Sequence, residues 1–213
     1  MQNSFKIAII DYKLSNMFSI SNALDVLGYS CEITSDRSTI LSADAAVLPG
    51  VGAFPEAIRN IREIGLDDTI KDFIKSGKPF LGICLGFHLL FDNSSEFKST
   101  TGLGILRGEV KNFNFQDKTI SIPHVGWNNI KKSKNNEGSQ GFHPLKNTMD
   151  EGFFYLVHSC YAVPHDDSDI YTMTEYGGEQ FCSSILKDNI FACQFHPEKS
   201  GQKGIKILTE MFK

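Results

Sequence analysis

Short apolar strands alternating with helix-period segments set the architecture open to this chain. "KIAIID" (residues 6–11) reads as a buried strand, and Met17, Ile20, Leu24 and Leu27 follow at helical spacing until Gly28. "AAVLP" (45–49) is a second strand and "GVGAF" (50–54) a glycine loop, while "PEAIRNIREIG" and "DDTIKDFIKSG" are helices, each ended by glycine. "PFLGIC" (79–84) repeats the pattern, with a helix starting at Leu85. Such alternation predicts a doubly wound, flavodoxin-like α/β sheet whose ligand crevice lies at the carboxyl ends of the strands. From about residue 105 the segments "GILRGEVKNF", "TISIPHVGWNNI", "GFFYLVHSCYAV", "DIYTMTEYGG", "EQFCSSIL" and "NIFACQFHP" read as additional strands with little helix between them. The last helix begins near Gly201, and "KKSKNNEGSQG" (131–141) reads as a surface loop rather than a domain boundary.

The 213 residues suffice for one large domain with a full core, so a single domain over 1–213 is expected. A formal charge of -4 leaves no electrostatic footprint for nucleic acid. The N-terminal apolar run after Lys6 is too short for a signal peptide or a membrane span, so a cytoplasmic protein without a membrane partner is expected. Five cysteines with no C-x-x-C spacing suggest neither a disulfide framework nor a zinc site, and no metal or cofactor is expected. "GVGAFP" is not a dinucleotide fingerprint, because Pro55 stands where the third glycine is needed.

"GICLG" is the cysteine counterpart of a nucleophile elbow, a strained strand-to-helix turn in which flanking glycines prevent collision with neighbouring strands. At a helix N-terminus Cys84 gains from free amides and the helix dipole, which favour the reactive thiolate. The other reading is a buried core cysteine. "CQFHPEKS" (193–200) supplies a base, His196, and an orienting carboxylate, Glu198. Pro197 biases His196 to an extended backbone, so residues 196 and 198 are expected to project to one side. The alternative is a polar loop after a strand.

"PGVGAF", "GICLG" and "QFHPEKS", in this order over nearly the whole chain, resemble the class I, triad-type glutamine amidotransferases. "IDYKLSN" (10–16), "PHVGWN" (123–128) and "FYLVHSCY" (154–161) are similar to segments of one branch, the glutaminase subunits of imidazole glycerol phosphate synthase. The resemblance implies that Cys84 attacks the side-chain amide of glutamine, that His196 moves the proton and that Glu198 holds the ring. It implies an oxyanion hole from the Leu85 N–H and a donor near Val51 or Gly52, with glutamine contacts at Gly50, Gly52, His88, His158 and Ser159. It also implies a heterodimer with a (β/α)8-barrel synthase subunit, docked through Asp11, Tyr12, Asn16, His124, Gly126 and Trp127. That barrel joins the ammonia to a phosphoribulosyl aminoimidazole intermediate. By residue type alone, Trp127 reads equally as a core aromatic, and His158 reads more often as a structural histidine than as a catalytic one.

Two departures from the family pattern stand out. Lys13 and Ser15 occupy places that are usually glycine, and His88 replaces a glutamine four residues after the cysteine. They keep open a paralogue that supplies ammonia for amidination of a surface-glycan sugar. A stand-alone cysteine hydrolase acting on peptides is the alternative of another class. A catalytically dead scaffold is disfavoured by the presence of Cys84, His196 and Glu198 together.

Overall fold

A computed structural model describes residues 5–14, 16–133, 144–145 and 151–213. Among these, thirteen strands form one continuous sheet. Its first part comprises β1 (Lys6–Ile10), β2 (Ser30–Thr34), β3 (Ala45–Leu48), β4 (Phe80–Ile83) and β13 (Ile190–Cys193), all parallel, in the order β2-β1-β3-β4-β13. This is the doubly wound, flavodoxin-like order, with the fifth strand supplied by the far end of the chain.

The period-two alternation of these strands splits their side chains between two cores. Ala8, Ile10, Ala46 and Leu48 face α2 (Arg37–Ser42), α3 (Phe54–Glu63) and α4 (Leu66–Lys75), which contribute Ile58, Ile70 and Phe73 among others. Ile7, Ile9, Ala45 and Val47 face the opposite way, towards α1 (Met17–Val26) and α6 (Gly201–Met211), where Leu24, Ile207 and Leu208 cover them. Burial on both faces explains why these strands read as continuous apolar runs.

The second part of the sheet is mixed. Beyond β13 come β12 (Glu179–Lys187), β10 (Cys160–Pro164), β7 (Leu106–Asn112), β5 (Phe91–Ser94) and β6 (Thr100–Thr101). A side branch runs from β12 through β11 (Ile170–Tyr176) and β8 (His124–Lys132) to β9 (Glu151–His158).

Several boundaries differ from the sequence expectation. "GFFYLVHSCYAV" is two strands, because the chain changes partners at Ser159: β9 pairs β8, whereas β10 pairs β7 and β12. The strand expected from residue 119 begins only at His124, just after Pro123, which has no N–H for a ladder. Lys131 and Lys132 belong to β8 rather than to a loop, and residues 134–141 of that polar stretch lie outside the described residues. The helix after Cys84, α5 (Leu85–Leu89), is only five residues long and passes directly into β5.

One contact fixes α5 against the parallel part of the sheet. A Cβ on Gly86 would stand 1.8 Å from the Leu48 carbonyl oxygen, so α5 is pressed against the end of β3 as only glycine permits. Gly86→Ala is expected to lower the unfolding free energy by at least about 3 kcal/mol. Gly28→Ala, with φ +81 but nothing within 4 Å, should cost about 1 kcal/mol, from backbone conformation alone. Urea unfolding of the two variants checks this, and equal losses would contradict the packing argument.

Candidate active site

The carboxyl ends of β3, β4 and β13 stand side by side, and Cys84 follows the last residue of β4. Its φ of +54 is outside the comfortable range of a residue with a side chain, a strain of about 1–2 kcal/mol. Flanking structure holds it there. The Cys84 N–H donates to Cys193 O at 2.7 Å, extending the β4–β13 ladder, while the Cys84 carbonyl accepts from Phe87 and His88 at 3.0 and 3.2 Å to open α5. Leu85, the first residue of that helix, has an N–H with no intrahelical acceptor. The thiol is thus carried out of the sheet on a sharp strand-to-helix turn, as "GICLG" predicts.

His196 has φ -100 and ψ 98, the extended backbone expected before Pro197. Glu198 then lies in a short 3-10 turn, Pro197–Lys199, rather than in a continuing strand. The contact expected between the two side chains is made within that turn: His196 Nδ1 and Glu198 Oε1 are 2.8 Å apart, and both side chains are buried. The outer edge of β9 pins the turn. His196 N–H donates to Tyr155 O at 2.9 Å, Tyr155 N–H donates to Ser200 Oγ at 3.0 Å, and Ser200 Oγ donates back to His196 O at 2.6 Å.

Burial alone would lower the His196 pKa, but the facing Cys84 thiolate and the Glu198 carboxylate outweigh it and push the imidazole up to about 10. Its Nε2 is buried, and Cys84 is the largest of the influences that raise the ring's pKa.

A cavity of about 290 Å³ opens on these groups. Cys84, Leu85, Val51, Gly52, His88, His158, Ser159 and His196 all line it, while Glu198 supports His196 from behind. The remaining predicted residues are placed differently. Gly50 is a packing position: a Cβ there would stand 2.2 Å from Tyr12 Oη and 2.8 Å from Leu85 Cβ. Val51 presents its side chain to the cavity, but its N–H donates to Leu14 O at 3.3 Å and is not aimed at an oxyanion.

Tyr12, expected on a docking surface, is instead fully buried, its hydroxyl donating to Pro49 O at 2.8 Å beneath the glycine loop. His124 is likewise buried, because its ring stacks on Tyr176 at 3.9 Å and bonds to His158. Asp11 is partly exposed and Asn16 exposed, Gly126 lies in open space with φ +138, and Trp127 is 56% exposed, which excludes the core-aromatic reading. Lys13 takes φ +72, where the family pattern has glycine; Asp11 accepts its N–H at 2.8 Å and pairs with its ammonium at 3.3 Å. Ser15 lies outside the described residues.

The other histidines of the site are neutral, and their tautomers follow from one carbonyl. Cys160 O can only accept, so His158 Nδ1, 2.7 Å away, carries a proton and Nε2 is an acceptor. His124 Nδ1 must then donate to His158 Nε2 at 3.1 Å, leaving its own Nε2 to accept from Asn128 Nδ2 at 3.3 Å. Burial pushes His158 down to about 3 and His124 to about 4. His88 is also pushed down to about 4 by burial, and its Nε2 lies 2.6 Å from Gln194 Oε1.

Two residues of the site escaped sequence reasoning. Gln194, fully buried, places its amide 3.8 Å from Cys84 Sγ, and it sits inside the quoted "QFHPEKS". Glu96 lines the cavity and accepts from the Phe54 N–H of α3 at 2.7 Å, with no motif to signal it.

With this geometry in view, comparison with known proteins is informative. Residues 8–213 match the family model described as glutamine amidotransferase class-I. The chain belongs to the class-I glutamine amidotransferase family. The imidazole glycerol phosphate synthase subunit HisH of Caldanaerobacter subterraneus subsp. tengcongensis is 46% identical over 202 residues, which are 95% of each chain. The HisH subunit of Aquifex aeolicus is 46% identical over 207 residues, covering 96% of this chain and 94% of the relative. Among solved structures, PurLQS from Thermotoga maritima aligns with a TM-score of 0.71 at 19% identity, covering 98% of this chain and 97% of that one. A glutamine amidotransferase from the same organism aligns with a TM-score of 0.61 at 17% identity, covering 98% and 82%. These two likenesses support the fold.

Among the described residues there is no cluster of three or more metal-ligating side chains and no helix long and apolar enough to cross a membrane.

The histidine shifts carry a pH signature. His88, His124 and His158 stay neutral when folded but take protons once unfolded below the ordinary histidine value of about 6.5. Their contribution therefore falls as pH drops from about 6.5 to about 4, with a combined slope of up to about 4 kcal/mol per pH unit. His196 acts in the other window: its contribution is present below about 6.5 and is lost as pH rises towards about 10. Urea midpoints between pH 6.5 and 4.5 should fall steeply, and His124→Phe should remove about one third of the histidine-dependent slope. A flat profile contradicts the neutral assignment.

Proposed function

We propose that this chain is the glutaminase subunit of an imidazole glycerol phosphate synthase, hydrolysing glutamine to glutamate and passing the ammonia to a (β/α)8-barrel partner. The observation that carries the reading is a thiol on a strained strand-to-helix turn facing a His–Glu pair in one cavity. The HisH relatives, matched end to end at 46% identity, support the same assignment.

In this reading the Cys84 thiolate attacks the amide carbon of glutamine, and His196, protonated and oriented by Glu198, gives its proton to the departing ammonia. A glutamyl thioester remains on Cys84. The now neutral His196 takes a proton from water, which hydrolyses the thioester to glutamate and restores the thiolate–imidazolium pair. The Leu85 N–H stabilises the oxyanion. The second donor, in the 51–52 segment, becomes available when the Val51 N–H leaves Leu14 O, a rotation that Gly52, at φ +95, tolerates. Glutamine lies along residues 157–160, with the Glu96 carboxylate available to its α-ammonium group.

The partner face is the outer surface of the β8–β9 ribbon. Trp127 pairs across the ribbon with Tyr155, and Val125, Trp127 and Phe153 are each more than half exposed. An apolar ribbon beside the cavity suits a docked subunit that receives ammonia without its escape to water. The chain acts as one domain in the cytoplasm, without a cofactor.

Glutamate release by the purified chain, alone and with the histidine-pathway barrel subunit of the same organism, tests the proposal. The barrel should stimulate a rate that Cys84→Ala abolishes and that Glu198→Gln lowers by about 10²–10⁴-fold. Stimulation by a different barrel paralogue alone assigns the ammonia to another acceptor, such as a glycan sugar. Peptide hydrolysis without any partner would replace the proposal with the stand-alone hydrolase.

A further inference from the structure

Behind the nucleophile lies a buried polar pair that the hydrolytic steps above do not use. Gln194 directly follows β13, its N–H donates to Ser183 O at 2.9 Å, and it has no exposed surface. His88 lies on α5 one turn beyond Cys84 and is 5% exposed. Their side chains meet at 2.6 Å between Nε2 and Oε1, and the Gln194 amide nitrogen faces Cys84 Sγ at 3.8 Å.

We propose that Gln194 is a direct hydrogen-bond donor to the Cys84 thiolate, and that His88 is the positioning residue that keeps its amide in the donating orientation.

A carboxamide shows a donor on one side and an acceptor on the other, and a flip exchanges them. With its proton on Nε2, His88 can only donate to Oε1, and the NH2 group then points at sulfur. With its proton on Nδ1, Nε2 would accept from the amide, and the carbonyl oxygen would face a thiolate, setting two electron-rich atoms against each other. The charged sulfur therefore selects the Nε2–H tautomer, and that tautomer in turn locks the amide. Burial keeps His88 neutral, so its proton can hold only one of these places. A further polar contact of Sγ, Val157 O at 3.8 Å, accepts from a thiol but opposes a thiolate. Gln194 thus offers the sulfur a neutral donor once it ionises, alongside the charged imidazole of His196. A glutamine at position 88 can also donate to Oε1, whereas an apolar residue cannot.

The inference deepens the glutaminase reading and rests on Cys84 as its nucleophile, but the thiol itself reports on it without any turnover. The test is the rate of Cys84 alkylation by iodoacetamide in the whole chain at neutral pH, resolved by peptide mass because Cys31 is partly exposed. Gln194→Met should slow it about tenfold, and His88→Leu by a similar factor. The double variant should be no slower than either single one, because both act through the same N–H. His88→Gln should recover most of what His88→Leu loses. In glutamine hydrolysis, Gln194→Met should lower kcat while KM stays within about twofold.

Wild-type alkylation rates in folded Gln194→Met or His88→Leu, or losses that multiply in the double variant, overturn the proposal. If Gln194→Met does not fold, Gln194→Leu, which has no donor in any protonation state, takes its place, and an unchanged rate overturns the proposal equally. Absence of glutaminase activity together with the expected alkylation pattern would remove the substrate assignment and leave this pair standing.

Discussion

The structure depends on the tight junction that holds Cys84 at positive φ. On one side the β13 carbonyl of Cys193 takes its N–H, and on the other Gly86 allows the Leu48 carbonyl of β3 to sit where a methyl group would be. Neither contact is optional, because a non-glycine residue relaxes out of that conformation unless its surroundings over-determine it. The parallel core supplies the rigidity: β3, β4 and β13 are buried on both faces and cannot yield to the strain at their common end. Core stability and the placement of the thiol at the cavity are therefore one physical problem.

The second constraint is the outer edge of β9. An unpaired sheet edge offers backbone groups in a fixed row, and here the row is used by the site rather than by another strand. Tyr155 receives the His196 N–H, and Val157 O meets the Cys84 thiol. The same ribbon carries Trp127 and Val125 on its outer face. In the proposed assembly, a partner pressed on that face would touch the strand to which both His196 and Cys84 are tied.

The core strands, the elbow and the His–Glu pair were legible in the sequence because each has a local signature: continuous apolar runs, glycines flanking a cysteine, and a proline after a histidine. β2 and α2 were not. β2 is a half-exposed edge strand without an apolar run, and α2 has only six residues, stabilised by Asp36 accepting the Thr39 N–H at 2.7 Å. The burial of Tyr12 and His124 was equally hidden, since only tertiary partners, Pro49 and Tyr176, decide where those rings go. Gln194 and Glu96 act through contacts with residues far away in sequence, which no spacing rule reports.

The central claim is that Cys84, and no other thiol, forms the covalent intermediate. Cys182 and Cys193 are buried, with their thiols pushed up by burial, and Cys160 is pushed up to about 12 for the same reason. The most direct measurement is acid quench of the chain turning over glutamine with its partner, followed by peptide mass analysis. The account predicts one glutamyl group on the Cys84 peptide, lost when the quench is delayed until glutamine is exhausted. No adduct during turnover, or an adduct on another cysteine, would contradict it.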